Sequence, residues 1–285
     1  MKKILSLCLI TYLYYTFLNN SYIIKENIIL SCNLFIKNIF PSLFPILVIS
    51  SIICNTNLLD NISFFINPII KKLFNINNIL SNIFIISLFT GSPGNAKIIK
   101  ELYDKKLLTV DDCNKIILYT HFSNPLFIIS FVKYKTKLVL FSHYISNIII
   151  GIILKNIKST KDDKIQYAKN NSMTNIIFSS INSSMSTLLF ILGTIATFYI
   201  ITSITNIEFF KLILELTQGM NHIYNLNITT KIKTILFGSL LSFGGFCIHF
   251  QVYGILKDIN INYIKYLLMR IIQSIITALI IFILY

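Results

Sequence analysis

The chain has 285 residues, is 54% hydrophobic and only 13% charged, and its mean hydropathy is +0.72. A soluble domain could not cover so apolar an interior, which excludes that class and points to an all-α polytopic membrane protein. The formal charge of +14 comes from lysines lodged between apolar runs, the pattern of loops facing anionic lipid, and no basic, aromatic-interleaved domain exists to carry nucleic acid.

Met1-Lys2-Lys3 and the apolar run after it resemble a signal peptide, but no small-residue cleavage site follows, so an uncleaved first span is expected. Residues 20–38 are mixed and suit an interfacial path, and residues 39–54 form a second span carrying Pro41 and Pro45. Residues 58–75 place Phe and Ile at helical spacing beside Lys71 and Lys72, the pattern of an amphipathic interfacial helix. The apolar run 79–90 then meets Thr90-Gly91-Ser92-Pro93-Gly94-Asn95, a string that an uninterrupted membrane helix does not accept. Ser92 suits the N-cap of a new helix and Pro93 its first position. Lys97–Glu101 and Lys100–Asp104 are i,i+4 pairs on that helix, with Lys97 solvated in the plain reading.

Thr109-Val-Asp-Asp112 is an N-terminal signature for a helix that runs to residue 122, breaks at Ser123-Asn124-Pro125 and resumes as LFIISFV. Residues 138–154 form another span. Residues 155–172 are the long polar stretch at the chain's midpoint.

The second half repeats this order. After an apolar segment, 174–205, LILELTQGMN at 212–221 echoes ISLFTGSPGN at 86–95. Thr229 opens a helix that breaks at Gly244-Gly245, at the same interval that separates Thr109 from Asn124, and 263–284 matches 138–154. The expected organisation is an N-terminal span and interfacial segment (1–38), a first repeat (39–155), a basic linker (156–173) and a second repeat (174–285). If 79–92 and 208–220 dip into the membrane and return, most lysines fall on the cytoplasmic side. Full crossings would reverse that balance, so re-entrant segments in two inverted repeats are expected.

Broken backbone at membrane depth survives only when buried in protein or lining a wet cavity. Paired breaks meeting near the midplane would offer half-helix N–H groups and carbonyls to a small polar or anionic solute. Its lining would be Thr90, Ser92, Asn95, Ser123, Asn124, Glu215, Thr217, Gln218, His249 and Gln251. The breaks themselves are set by Gly91, Pro93, Gly94, Pro125, Gly219, Gly244 and Gly245. Glu215, a carboxylate within an apolar run, weighs most; its bland reading is an interfacial pair with Lys211. His249 reads more plainly as a packing residue. Arg270, the only arginine, could snorkel to the interface, pair with Glu215 or meet an anion. The five cysteines (Cys8, Cys32, Cys54, Cys113, Cys247) and four histidines (His121, His143, His222, His249) show no metal-ligand spacing, and no metal or cofactor is expected.

FPSLFPILVIS, GSPGNAKIIKELYDKKLLT, SNPLFIIS, LELTQG and SFGGFCIHFQV together resemble the YlbJ-type sporulation integral membrane proteins over nearly the whole chain. That family's motifs read like S-G-x-P-x-G-A-K, N-x-x-P-L-F-I-I and G-G-x-x-V-H-x-Q. The matching positions are Gly91, Pro93, Ala96, Lys97, Asn124, Pro125, Glu215, Thr217, Gly219, Gly244, Gly245, His249 and Gln251. The first motif departs by setting Gly94-Asn95 before Ala96, and Ile248 stands where a smaller aliphatic belongs. The resemblance implies the wider group with a nucleoside-recognition or Gate domain, inverted repeats with re-entrant segments, and a spore-forming bacterium. It further implies a multi-pass protein of a mother-cell or forespore membrane acting in cortex or envelope formation.

The leading expectation is a transporter-like protein, with the bilayer and a small polar solute as partners and a homo-oligomer left open. No nucleotide-binding loop is present to energise it. The alternative is a non-transporting membrane scaffold for spore-envelope assembly. An intramembrane enzyme is not expected, since no G-x-S-x-G elbow, H-E-x-x-H or paired catalytic Asp occurs.

Overall fold

The computed structural model describes Leu7, Thr11 and residues 14–56, 66–160, 172–205 and 207–285, and all regular structure among them is helical. Most of the expected first span and most of the linker lie outside the described residues, as do residues 57–65 of the expected interfacial helix.

Helix α1 (Ser21–Leu34) passes through a π-helical turn, Phe35–Ile39, into α2 (Phe40–Asn55). Residues 20–38 therefore do not form a separate interfacial segment but continue the span, giving an apolar helix of 35 residues. At about 1.5 Å per residue it is longer than a ~30 Å hydrocarbon core needs. Helix α3 (Asn67–Phe74) is the described part of the amphipathic segment, and it meets α4 (Asn78–Thr90) at a 103° bend. Then come α5 (Gly94–Asp104), α6 (Val110–Ile116), α7 (Pro125–Phe131) and α8 (Thr136–Ile153). The second half holds α9 (Met173–Thr205), α10 (Glu208–Ile213), α11 (Leu216–Asn225), α12 (Thr230–Phe243), α13 (Gly245–Ile255) and α14 (Tyr263–Leu284). Among the described residues, five stretches are long and apolar enough to cross a bilayer: 21–55, 136–153, 173–205, 230–255 and 263–284. The fold is that of a multi-pass helical membrane protein.

Two helical walls enclose the interrupted segments. One is α9 packed on α1 and α2; the other is α14 packed on α12 and α8, with α8 also on α12. Between them, α4 and α5 pack on α2, α11 packs on α12 and α13, and α13 bridges α9 and α5. The local signals explain the starts. Thr109 and Asp112 form a reciprocal capping box at α6, Asn77 caps α4, Asn124 caps α7 and Thr229 caps α12. Helix α5 begins one residue later than expected: Pro93 is its N-cap, and Ser92 makes no cap bond.

The helix opened by Thr109 ends at Ile116, not at residue 122, for a reason visible in its hydrogen bonds. The carbonyls of the following stretch are claimed from elsewhere. Arg270 donates to Leu118 O, Asn95 Nδ2 to Thr120 O (2.9 Å), Asn147 Nδ2 to His121 O (2.9 Å) and Ser92 N–H to Phe122 O (2.6 Å). Each bond replaces an i→i+4 helical bond, so residues 117–124 run irregularly through the interior without orphaned carbonyls at those positions.

Candidate functional site

The four interruptions converge. A cavity of about 50 Å3 is lined by Ser92 and Pro93 from the first break and by Ser123 and Asn124 from the broken span of the first half. Glu215, Leu216 and Thr217 line it from the break between α10 and α11, and Cys247, Ile248 and Gln251 from α13 just past Gly244. Ile39 and Leu43 from the π-turn and α2, with Ile191 and Ile195 from α9, close its apolar side. That volume holds a few waters.

Each break is stitched to the broken span of its own half. In the first half Ser92 N–H donates to Phe122 O; in the second Cys247 N–H donates to Leu214 O at 2.8 Å. Gly91 sits at φ +64°, and a Cβ there would lie 2.4 Å from Asn124 N, so only glycine allows this approach. Asn124 uses both ends of its amide: Oδ1 accepts from Leu126 N–H (2.8 Å), and Nδ2 donates to Ser42 O on α2 (3.1 Å).

Glu215 is 3% exposed and caps α11, its carboxylate accepting from Gln218 N–H (2.9 Å) and Thr217 Oγ1–H (2.5 Å). The interfacial pair with Lys211 is not formed, because Lys211 bonds Glu208 instead (2.8 Å). Tyr199 OH extends the chain to Thr217 Oγ1 (3.0 Å). Glu215 thus occupies the N-terminus that was expected to greet an anion, and the helix dipole is answered by the protein's own carboxylate. No cation pairs with it among the described residues.

Of the ten expected lining residues, Ser92, Ser123, Asn124, Glu215, Thr217 and Gln251 reach this cavity. Gln251 also donates to Thr194 Oγ1 (2.8 Å). Thr90 turns back to Ile86 O (3.3 Å), and Asn95 supports the irregular stretch through Thr120. Gln218 faces a second, outer cavity. His249 lies outside the lining: it donates from Nε2 to Phe243 O (2.9 Å) and packs against Phe243 and Tyr266. Lys97 is not solvated. It is 4% exposed, donates to Ser184 Oγ (2.8 Å) and pairs with Glu101 at 3.5 Å.

Arg270 neither snorkels nor pairs with Glu215. It is fully buried, donates to Leu118 O and Gln273 Oε1, reaches Asn147 Oδ1 at 3.4 Å and lies over the Tyr266 ring. Around it runs a network that the motif reading missed. Ser123 N–H donates to His143 Nε2 (2.9 Å), leaving Nδ1–H to face Ser242 Oγ (2.9 Å); Thr277 then links Ser242 (2.7 Å) to Ser146 (2.9 Å). The sequence signal for it is periodicity. His143 and Asn147 sit i,i+4 on α8, and Tyr266, Arg270, Gln273 and Thr277 share one face of α14.

No family model and no solved structure matches the chain. Among curated proteins it is similar to the sporulation integral membrane protein YlbJ of Bacillus subtilis strain 168, 20% identical over 84% of this chain and 72% of that protein. That likeness supports the YlbJ-type reading drawn from the motif order above, and the several apolar helices of membrane-crossing length fit a multi-pass membrane protein.

Proposed function

We propose that this protein is transporter-like, binding a small polar solute between two inverted, Gate-like repeats and moving it across a membrane of the sporulating cell during cortex or envelope formation. The single observation that carries the reading is that breaks from both halves line one cavity holding a buried carboxylate, Glu215. Irregular backbone at membrane depth costs several kcal/mol per unsatisfied group, and this chain maintains it at four places around one space. Transporter folds place their sites at such repeat interfaces. The walls and the breaks between them suit alternating access, in which a solute needs more room than the present cavity gives. Coupling would come from an ion or solute gradient, and the chain acts as a carrier and not a catalyst.

The test is uptake into proteoliposomes from a panel of nucleosides, amino acids and carboxylates. Wild-type protein should accumulate at least one class, and Glu215→Gln, which keeps an acceptor for the α11 cap, should reduce that uptake at least tenfold while leaving the protein folded. No uptake by folded protein, with sporulation intact in Glu215→Gln cells and lost on deletion of 161–171, would favour a scaffold instead.

A further inference from the structure

The inner cavity has a larger neighbour. A second cavity of about 500 Å3 opens at the surface between the first long helix, α9 and the α10–α11 pair. Its polar lining includes Lys37, Asn38, Lys211, Gln218, Asn221 and His222, with no carboxylate in the lining itself, although Glu208 pairs with Lys211 (2.8 Å) and His222 (3.2 Å) from outside it. Lys37 lies on the π-helical turn, a distortion that recurs at functional sites, and among the described residues it forms no ion pair. The same turn ends at Ile39, which lines the inner cavity.

One hydrogen-bond chain separates the two spaces. Tyr199 lines the outer cavity and Thr217 the inner, and their hydroxyls meet at 3.0 Å; Thr217 in turn bonds Glu215. The charges are therefore unevenly placed: outside, Lys37 forms no ion pair among the described residues while Lys211 and His222 share the exposed Glu208; inside, Glu215 has no cation. A buried carboxylate lacking a counter-ion is costly, and a ligand that supplies a cationic group relieves it. A plain anion would be repelled by Glu215, and a plain cation would meet Lys37 and Lys211 first. The inner volume suits a group the size of an ammonium with a few waters, and the outer volume suits the rest of a small molecule.

We infer that the two cavities form one binding site for a small zwitterion, its amine directed to Glu215 past Tyr199 and Thr217 and its carboxylate or phosphate held by Lys37 and Lys211. This rests on the transporter-like reading and narrows its solute. A free amino acid or short peptide carries this chemistry, and so does the headgroup of phosphatidylethanolamine.

The experiment is equilibrium binding by titration calorimetry to the lipid-free, detergent-purified chain, with L-alanine, glycylglycine, propionate, propylamine and uridine as probes. Alanine or glycylglycine should bind at least tenfold more tightly than propionate, propylamine or uridine. Glu215→Gln and the double variant Lys37→Met/Lys211→Met should each weaken that binding at least tenfold; both lysines are surface-lining, so the double variant tests the site without disturbing the core. In a parallel arm, nanodiscs with and without phosphatidylethanolamine are compared. Saturable binding of that lipid, weakened by the same variants, with none of the free zwitterions, supports the zwitterion site and assigns it to a headgroup. Uridine or propionate binding as tightly as alanine, or zwitterion binding indifferent to both sets of substitutions, overturns the inference. Alanine bound but not taken up into proteoliposomes would sink transport and leave the site standing. Uridine taken up with no zwitterion bound would do the reverse.

Discussion

The two interrupted segments occupy matching places in their halves but are built differently. The first, α4–α5, is long and deeply packed: nine residues of α4 and seven of α5 are buried, including Lys97. The second, α10–α11, starts with a six-residue helix that has no buried residue, and its ion cluster, Glu208 with Lys211 and His222, lies at the surface. The stitching bond also runs in opposite senses. The first break donates to its broken span through Ser92 N–H, whereas the second accepts from its span through Leu214 O. A segment packed along both its helices and holding a largely buried ion pair resists displacement; one whose first helix has no buried residue, and of which only the second helix packs into the core through Leu216, Met220 and Ile223, opens at lower cost. The first half thus supplies a fixed side of the cavity, and the second supplies the side that can yield.

Substitutions sharpen or break this contrast. The largest effect is expected from Gly91→Ala, which combines φ +64° with a Cβ 2.4 Å from Asn124 N; loss of monodisperse, folded protein on size exclusion is the expected outcome. Gly245→Ala in the second half also has positive φ (+68°), but its closest backbone atom is 3.3 Å away, so a cost of about 1–2 kcal/mol and a lowered Tm are expected. Equal damage from the two would remove the asymmetry. Lys97→Met should destabilise by about 1–3 kcal/mol, because Glu101 is left to Ser51 and Ser183 alone. Glu208→Gln, at the exposed counterpart, should leave Tm unchanged within error. A drop as large as that of Lys97→Met would show that the second segment is anchored as firmly as the first.

Much of this architecture was legible in the sequence because it rests on local chemistry. Thr109 and Asp112, Asn124 before Pro125, and Gly244-Gly245 each set a helix boundary within a few residues, and those signals sit where the structure breaks. Six of the ten expected lining residues meet in one cavity for the same reason: a break places its own polar residues at its own end. What escaped depends on partners distant in sequence. Nothing near Ile117 announces that its helix must stop, since the donors that dismantle it come from Asn95, Asn147 and Arg270. Lys97 reads as a surface lysine until Ser184, on α9, is seen beside it. Residues 20–38 read as interfacial because Asn and Lys interrupt them; the structure carries these on a continuing helix, where Lys37 and Asn38 face the outer cavity.

Arg270 has a mechanical consequence. A guanidinium keeps its charge at any accessible pH, so its hydrogen bonds must be preserved in every conformation the protein visits. From α14 it grips Asn147 on α8 and the Leu118 carbonyl of the irregular stretch, and sliding any of these past another would strand a cation in the dry interior. This corner of the molecule is therefore held rigid, and in the proposed transport cycle any displacement falls to the far side, where α10 has no buried residue.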